Sequence, residues 1–208
     1  MRLIDEILSD ENLQKAINKV KENKGAPGVD KMTMKEIDQY FEGHKSEIKR
    51  SILEMKYQPQ PVWRVYIPKP NGKKRPLGIP TLVDRVIQQA IALKLSEIYE
   101  LCPSEHSHGF RPNRSCHGVM YKVLGYLNDG YEWVIDVDIE KYFDRVNHDK
   151  LISILRERVN DKITLHIIRA FLRAGVMEKG FVSATTVVCL KEDYADVGII
   201  TSIMFKYL

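Results

Sequence analysis

Cysteine is scarce in this chain, and Cys102, Cys116 and Cys189 are scattered with no CxxC pair among them. That excludes a disulfide framework and fits a reducing compartment. Long apolar runs are missing too: no uncharged stretch approaches the roughly 20 residues that cross a bilayer. The opening MRLIDEILSDEN is acidic and amphipathic, where a secretory signal needs a basic flank and an apolar core. A cytoplasmic chain with no membrane partner is the expectation. Internal repeats, low-complexity segments and a strong charge bias are also lacking. Lys plus Arg number 32 against 28 Asp plus Glu, which permits a polyanionic partner without requiring one. What is present is a hydrophobic share of 44% in 208 residues, enough to bury a real core in one large domain or two small ones.

Helical periodicity leads. Leu13, Ala16, Ile17 and Val20 share a face that ends at Lys24-Gly25, where glycine predicts the C-terminal cap, and GAPGVD reads as a loop. Thr33 followed by Glu36 predicts a capping box for a second helix carrying Ile37, Tyr40 and Phe41, and Ile48, Ile52 and Leu53 predict a third. From Pro59 the period changes to two: Trp63, Val65 and Ile67 alternate with Arg64 and Tyr66 up to the turn PNG, and KKRPLGIP returns as the partner strand. Thr81 then caps a long helix with Val83, Val86, Ile87, Ala90, Ile91, Leu95 and Ile98 along it. After the loop HSHGFRPNRS, a helix carries Val119, Val123, Leu124 and Leu127, and a strand opens at Val134. Two more helices, around Leu151 to Leu155 and Ile163 to Phe171, precede a hairpin turning at Lys179-Gly180. Helices lead and strands interrupt them irregularly, so the fold class is α+β, not a doubly wound sheet.

Two basic loops and one acidic cluster carry the chemistry. IPKPNGKKRPLGIP holds Lys69, Lys73, Lys74 and Arg75 on a hairpin, a set of point charges and one planar guanidinium suited to phosphates. The bland alternative is an edge strand protected by lysines. GFRPNRS adds Arg111 and Arg114 around a proline-stiffened loop, which alone could be a solvated turn. In VIDVDIEKYFDRVNHDKL, Asp136 and Asp138 lie two apart on a strand and so face the same way. Ionised and clustered, they must meet water, donors or a shared cation. Mg²⁺ typically takes one or two protein carboxylates plus substrate phosphates. Asp144 and Asp149 read rather as caps of the turn and helix that follow, a role also open to Asp136. His106, His108 and Cys116-His117 match no usual zinc spacing and read as core or loop residues.

Four ordered blocks together are more specific than any of these. KENKGAPGVDKMT, RVYIPKPNGKKRPLGIPTLVDRVIQQAI, HSHGFRPNRSCHGVM and WVIDVDIEKYFDRVNHDKL closely resemble the N-terminal part of group II intron reverse transcriptases, the maturase-type RNA-directed DNA polymerases of bacterial mobile elements. The resemblance runs over about residues 5 to 186. It implies a right-hand polymerase fold with fingers and an incomplete palm. Residues 1–105 would be fingers with an N-terminal extension, and 106–186 partial palm with a fingers-type helical insertion. It further implies nucleotidyl transfer on Mg²⁺, with an RNA template, a DNA primer, dNTPs and group II intron RNA as partners. On these motifs Asp138 would be the first metal-binding aspartate, with the Ile139 backbone beside it. The backbone from Ile139 through Glu140 and Lys141 to Tyr142 would line the triphosphate. Phe143 would stand at the steric gate against a 2′-hydroxyl, and Lys69 and Arg75 would hold the incoming nucleotide. Lys24 and Gly25, in the loop over template RNA, and Arg111, Asn113 and Arg114 would contact nucleic acid.

The resemblance breaks after SATT. The family continues with PQGG, a YADD strand pair and a thumb, whereas this chain reads VVCLKEDYADVGIITSIMFKYL. Tyr194-Ala195-Asp196 lacks the second aspartate and arrives too soon. Codons for PQGG read one base out of register encode Leu-Lys-Glu, which stand at 190–192, so residues 187–208 are expected to be a non-homologous, out-of-frame tail. A single remaining metal aspartate predicts a chain inactive alone. Missing palm strands predict exposed apolar faces on the helices from 115 to 127 and 151 to 174, with marginal stability and self-association. The competing readings are an intron-RNA-binding, maturase-like fragment without catalysis, and a DxD glycosyltransferase. The latter needs a nucleotide-binding α/β order absent here.

Overall fold

Leu13, Ala16, Ile17 and Val20 are buried along one side of α2 (Asp10–Glu22), which follows the short α1 (Leu3–Ile7). These elements belong to a computed structural model that describes residues 2–68, 70, 72–99, 106, 108–109, 113–137 and 146–183. Ser9 caps α2, its hydroxyl accepting from the Asn12 amide at 3.3 Å. At the other end the left-handed residue is Lys24 (φ 46°) and not the glycine beside it, because Asn23 already serves as the C-cap.

The second and third expected helices are one, α3 (Ile37–Leu53). Gly43 faces open space in mid-helix. It costs about 1 kcal/mol relative to alanine. Burying Ile37, Phe41, Ile48 and Ile52 contributes about 1.5–3 kcal/mol for each side chain, so the helix runs on. Only half of the expected capping box forms. The Glu36 carboxylate accepts from the Thr33 amide at 2.7 Å and from its hydroxyl at 2.6 Å, so that hydroxyl donates and leaves the helix amides uncapped.

Strands β1 (Val62–Pro68) and β2 (Lys74–Ile79) form the expected antiparallel hairpin, with Trp63 opposite Ile79 and Ile67 opposite Arg75. Thr81 caps α4 (Leu82–Tyr99) by accepting from the Asp84 amide at 3.2 Å. Helix α4 packs on α1 and α2. The buried Asn12 carboxamide links them, donating to the Ile7 carbonyl at 2.9 Å and to the Ala90 carbonyl at 3.0 Å.

Beyond α5 (Cys116–Asn128) come α6 (His148–Arg156) and α7 (Lys162–Leu172). They are followed by the short strands β3 (Val176–Glu178) and β4 (Phe181–Ser183). Lys179 (φ 51°) and Gly180 (φ 85°) make the turn between them, both left-handed as a tight hairpin of this hand requires. The sheet order is β2-β1-β3-β4, with β3 parallel to β1. Asp161 ties the two ends of the described chain together. One oxygen caps α7 through the Ile163 and Thr164 amides, and the other accepts from the Ile4 amide at 2.7 Å. Helices α1, α2, α3, α4, α6 and α7 share one hydrophobic core, and the arrangement is α+β.

Two expectations are corrected. Residues 131–137 carry no strand: Trp133, Val134 and Ile135 are 92%, 81% and 87% exposed. A strand exists only where a neighbour completes its hydrogen-bond ladder, and among the described residues none lies beside this one. Nor are the helices from 151 to 174 left bare. Leu151, Ile152, Leu155, Ile167 and Leu172 are buried, because α6 packs on α7 and α7 on α1 and α3. Helix α5 does have the exposed face expected of it, with none of its residues buried.

Candidate functional site

The hairpin is held at its roots by the first turn of α4. Asp84, 1% exposed, accepts from the Tyr57 hydroxyl at 2.8 Å, the Gln60 amide at 3.1 Å and the Thr81 hydroxyl at 2.7 Å. Burial pushes its carboxyl above the ordinary range, and the Thr81 and Tyr57 hydroxyls and the Gln60 amide pull the other way. Burial, and then the neighbouring Asp84 carboxylate, pushes the Tyr57 phenol up strongly. Arg85, the next residue and 2% exposed, donates to the Pro80 carbonyl at 3.1 Å and to the Ala26 carbonyl. One side chain therefore fixes the approach to β1, and its neighbour fixes the exit from β2.

On this base the hairpin presents its charges. Side chains directly opposite one another share a face, so Arg75 lies with Trp63, Val65, Ile67 and Leu77, while Lys74 lies with Arg64, Tyr66 and Pro76. Trp63 and Ile67 are 42% and 43% exposed and Arg75 is half-buried beside them. An apolar face carrying one guanidinium suits a stacked base and its phosphate. Lys73 and Lys74 are exposed near the turn, where Gly72 takes φ 75°. The Tyr66 hydroxyl donates to Glu178 at 2.8 Å and braces β1 against β3.

Of the other expected site residues, Lys24 is exposed and Gly25 half-buried at the start of the loop. Asn113 (φ 58°) and Arg114 are exposed just ahead of Ser115, which caps α5 through the Gly118 amide at 3.2 Å. Lys69, Arg111, Asp138, Ile139, Glu140, Lys141, Tyr142 and Phe143 lie outside the described residues, as does the tail from 187 onwards. Among the described residues no three His, Cys, Asp or Glu side chains gather as a metal site, and this includes the histidines around Cys116. No described helix is long and apolar enough to cross a membrane. Sequence reasoning passed over Asp84, Arg85 and Tyr57. The available signal was the adjacent pair of opposite charges in TLVDRVIQQAI, set among residues that are apolar on every side.

A charged hairpin on a helical base, with a mixed sheet closing on it, fits the fingers expected of this chain. The chain belongs to the reverse transcriptase (RNA-dependent DNA polymerase) family, whose model matches residues 67–190. It is 36% identical over 191 residues to Protein YkfC of Escherichia coli (strain K12), covering 89% of this chain and 50% of that one. It is 41% identical over 142 residues to the Group II intron-encoded protein LtrA of Lactococcus lactis subsp. cremoris, covering 68% of this chain and 24% of LtrA. The chain thus spans half or less of these relatives. Among solved structures, a partial Cas6-RT-Cas1--Cas2 complex superposes with a TM-score of 0.62 at 19% identity, over 100% of this chain and 34% of that one, a likeness of fold. The kinship with group II intron reverse transcriptases and intron maturases expected from the four blocks is borne out. The family generally works on a nucleic-acid template and primer with a divalent metal.

Proposed function

We propose that this chain is the nucleic-acid-gripping part of a cytoplasmic group II intron reverse transcriptase: fingers with an N-terminal extension over 1–105, and partial palm over 106–186. The observation that carries this reading is the β1–β2 hairpin, whose half-buried Arg75 and exposed Lys73 and Lys74 stand on a rigid buried base. Its partners are single-stranded RNA as template, a DNA primer, intron RNA and dNTPs. Mg²⁺ enters only through Asp138 and the Ile139 backbone, which lie outside the described residues. Phosphate contacts release counterions, so RNA affinity should fall with salt by a log–log slope of about 0.7 for each phosphate engaged. Filter binding from 50 to 300 mM salt is the test, and a flat response refutes the reading.

The second reading is RNA binding without polymerisation, through the exposed Lys24, Lys73, Lys74, Asn113 and Arg114 and the half-buried Arg75. An RNA-templated extension assay with Mg²⁺ and dNTPs separates the two. Incorporation abolished by Asp138→Ala supports polymerisation, and binding without incorporation supports the second reading. Incorporation that survives Asp138→Ala removes that residue from the site.

A further inference from the structure

Loop 24–31 is short and only partly exposed, and it is constrained at four separate points. Lys24 (φ 46°), where α2 ends, and Lys31 (φ 58°) hold left-handed backbone conformations at its two ends, which are uncommon for non-glycine residues. Between them Gly28 is buried against the chain leaving β2, so that a Cβ there would sit 2.7 Å from both the Pro80 oxygen and the Thr81 Cα. The fourth constraint is Arg85, whose guanidinium bridges the Ala26 and Pro80 carbonyls from inside the protein. The Lys31 amide closes the loop on the Gly28 carbonyl at 3.1 Å. Lys24 and Lys31 themselves are exposed, and neither pairs with a carboxylate among the described residues. A floppy loop would present two lysines as a diffuse charge; this one presents them at fixed positions, at the foot of the hairpin that carries Arg75.

We propose that Arg85 is a positioning residue: by clamping loop 24–31 to the end of β2 it sets Lys24 and Lys31 as two fixed phosphate contacts, in register with the hairpin, on a single strand of RNA. The inference rests on the RNA-binding reading above and deepens it, since it makes the first turn of α4 the joint between the N-terminal loop and the fingers. Asp84 holds one root of the hairpin, and Arg85 holds the other together with the loop. Arginine suits the role because its planar fork holds two donors at a fixed separation, which a lysine's flexible ammonium does not.

The test measures anisotropy of a labelled 20-nucleotide RNA across a salt series, alongside trypsin cleavage at Lys24 and Lys31. Lys24→Ala/Lys31→Ala should weaken binding and reduce the salt slope by about 1.4, two phosphates' worth. Arg85→Met should open both trypsin sites and weaken binding to a similar degree, and adding the two alanines to it should change little further, as expected of coupled residues. Arg85→Lys should recover only part. Should Arg85→Met lose its circular dichroism signal, Gly28→Ala, which displaces the loop without removing any charge, takes its place and should open both trypsin sites and weaken binding to the same degree. Wild-type chain that does not bind RNA defeats the functional reading. Wild-type binding that the lysine pair leaves unchanged, or that a folded Arg85→Met or Gly28→Ala leaves unchanged, defeats the role of Arg85 alone.

Discussion

At the scale of single residues, two buried aspartates carry unlike burdens. Asp161 satisfies three amides from two helices, so Asp161→Ala leaves those donors unmet and should cost about 2 kcal/mol, read as a lower urea midpoint. Asp161→Asn keeps an acceptor and should cost less. Asp84 differs because its burial raises its folded carboxyl above the unfolded one. The folded state then holds the proton more tightly, so its contribution is full below about pH 4 and is lost as pH climbs through the raised value. Against Asp84→Asn, the wild type should therefore lose relative stability as pH rises above about 4. A difference moving the other way would mean that the three donors outweigh burial. Neither residue was legible as structural in the sequence, because a charged side chain in isolation reads as surface and only the fold reveals which amides and hydroxyls meet it.

At the scale of elements, what was legible follows from periodicity and what was not follows from partners. The hairpin β1–β2, the capped helix α4 and the turn at Lys179-Gly180 depend on local spacing and turn chemistry, and they form as read. The break expected within α3 is absent because its buried face continues past Phe41 through Ile48 and Ile52. The strand expected at 134–137 depended on a ladder from elsewhere in the chain. The metal and nucleotide roles expected of the residues that follow it rest on family resemblance alone, since a DxD is common and says little by itself. The contrast between α5 and α7 can be measured. Leu124, 50% exposed, should tolerate Leu124→Ser with less than about 0.5 kcal/mol change, while Ile167, 2% exposed, should lose about 2–4 kcal/mol as Ile167→Ala.

At the scale of the molecule, the exposed apolar residues concentrate on one stretch: Met120, Tyr121, Leu124 and Leu127 on α5, then Tyr131, Trp133, Val134, Ile135 and Val137. Contiguous apolar surface of this kind drives association. Sedimentation velocity should show reversible self-association that grows with concentration. Leu124→Lys/Leu127→Lys should reduce it without lowering the melting temperature. A single sharp monomer boundary at high concentration would show that the surface is not sticky. With α6 and α7 buried, the instability expected of bare helices on both sides of residue 138 is confined to one side.

The bond from the Ile4 amide to Asp161 spans 157 positions of the chain. During synthesis at about 5–20 residues per second, the first helix waits roughly 10–30 s before its partner leaves the ribosome. Through that interval Ile4 and Ile7, both fully buried in the finished fold, have only part of their final surroundings. The N-terminal helix is thus made first and seated late, which makes its apolar face a target for chaperones on the nascent chain.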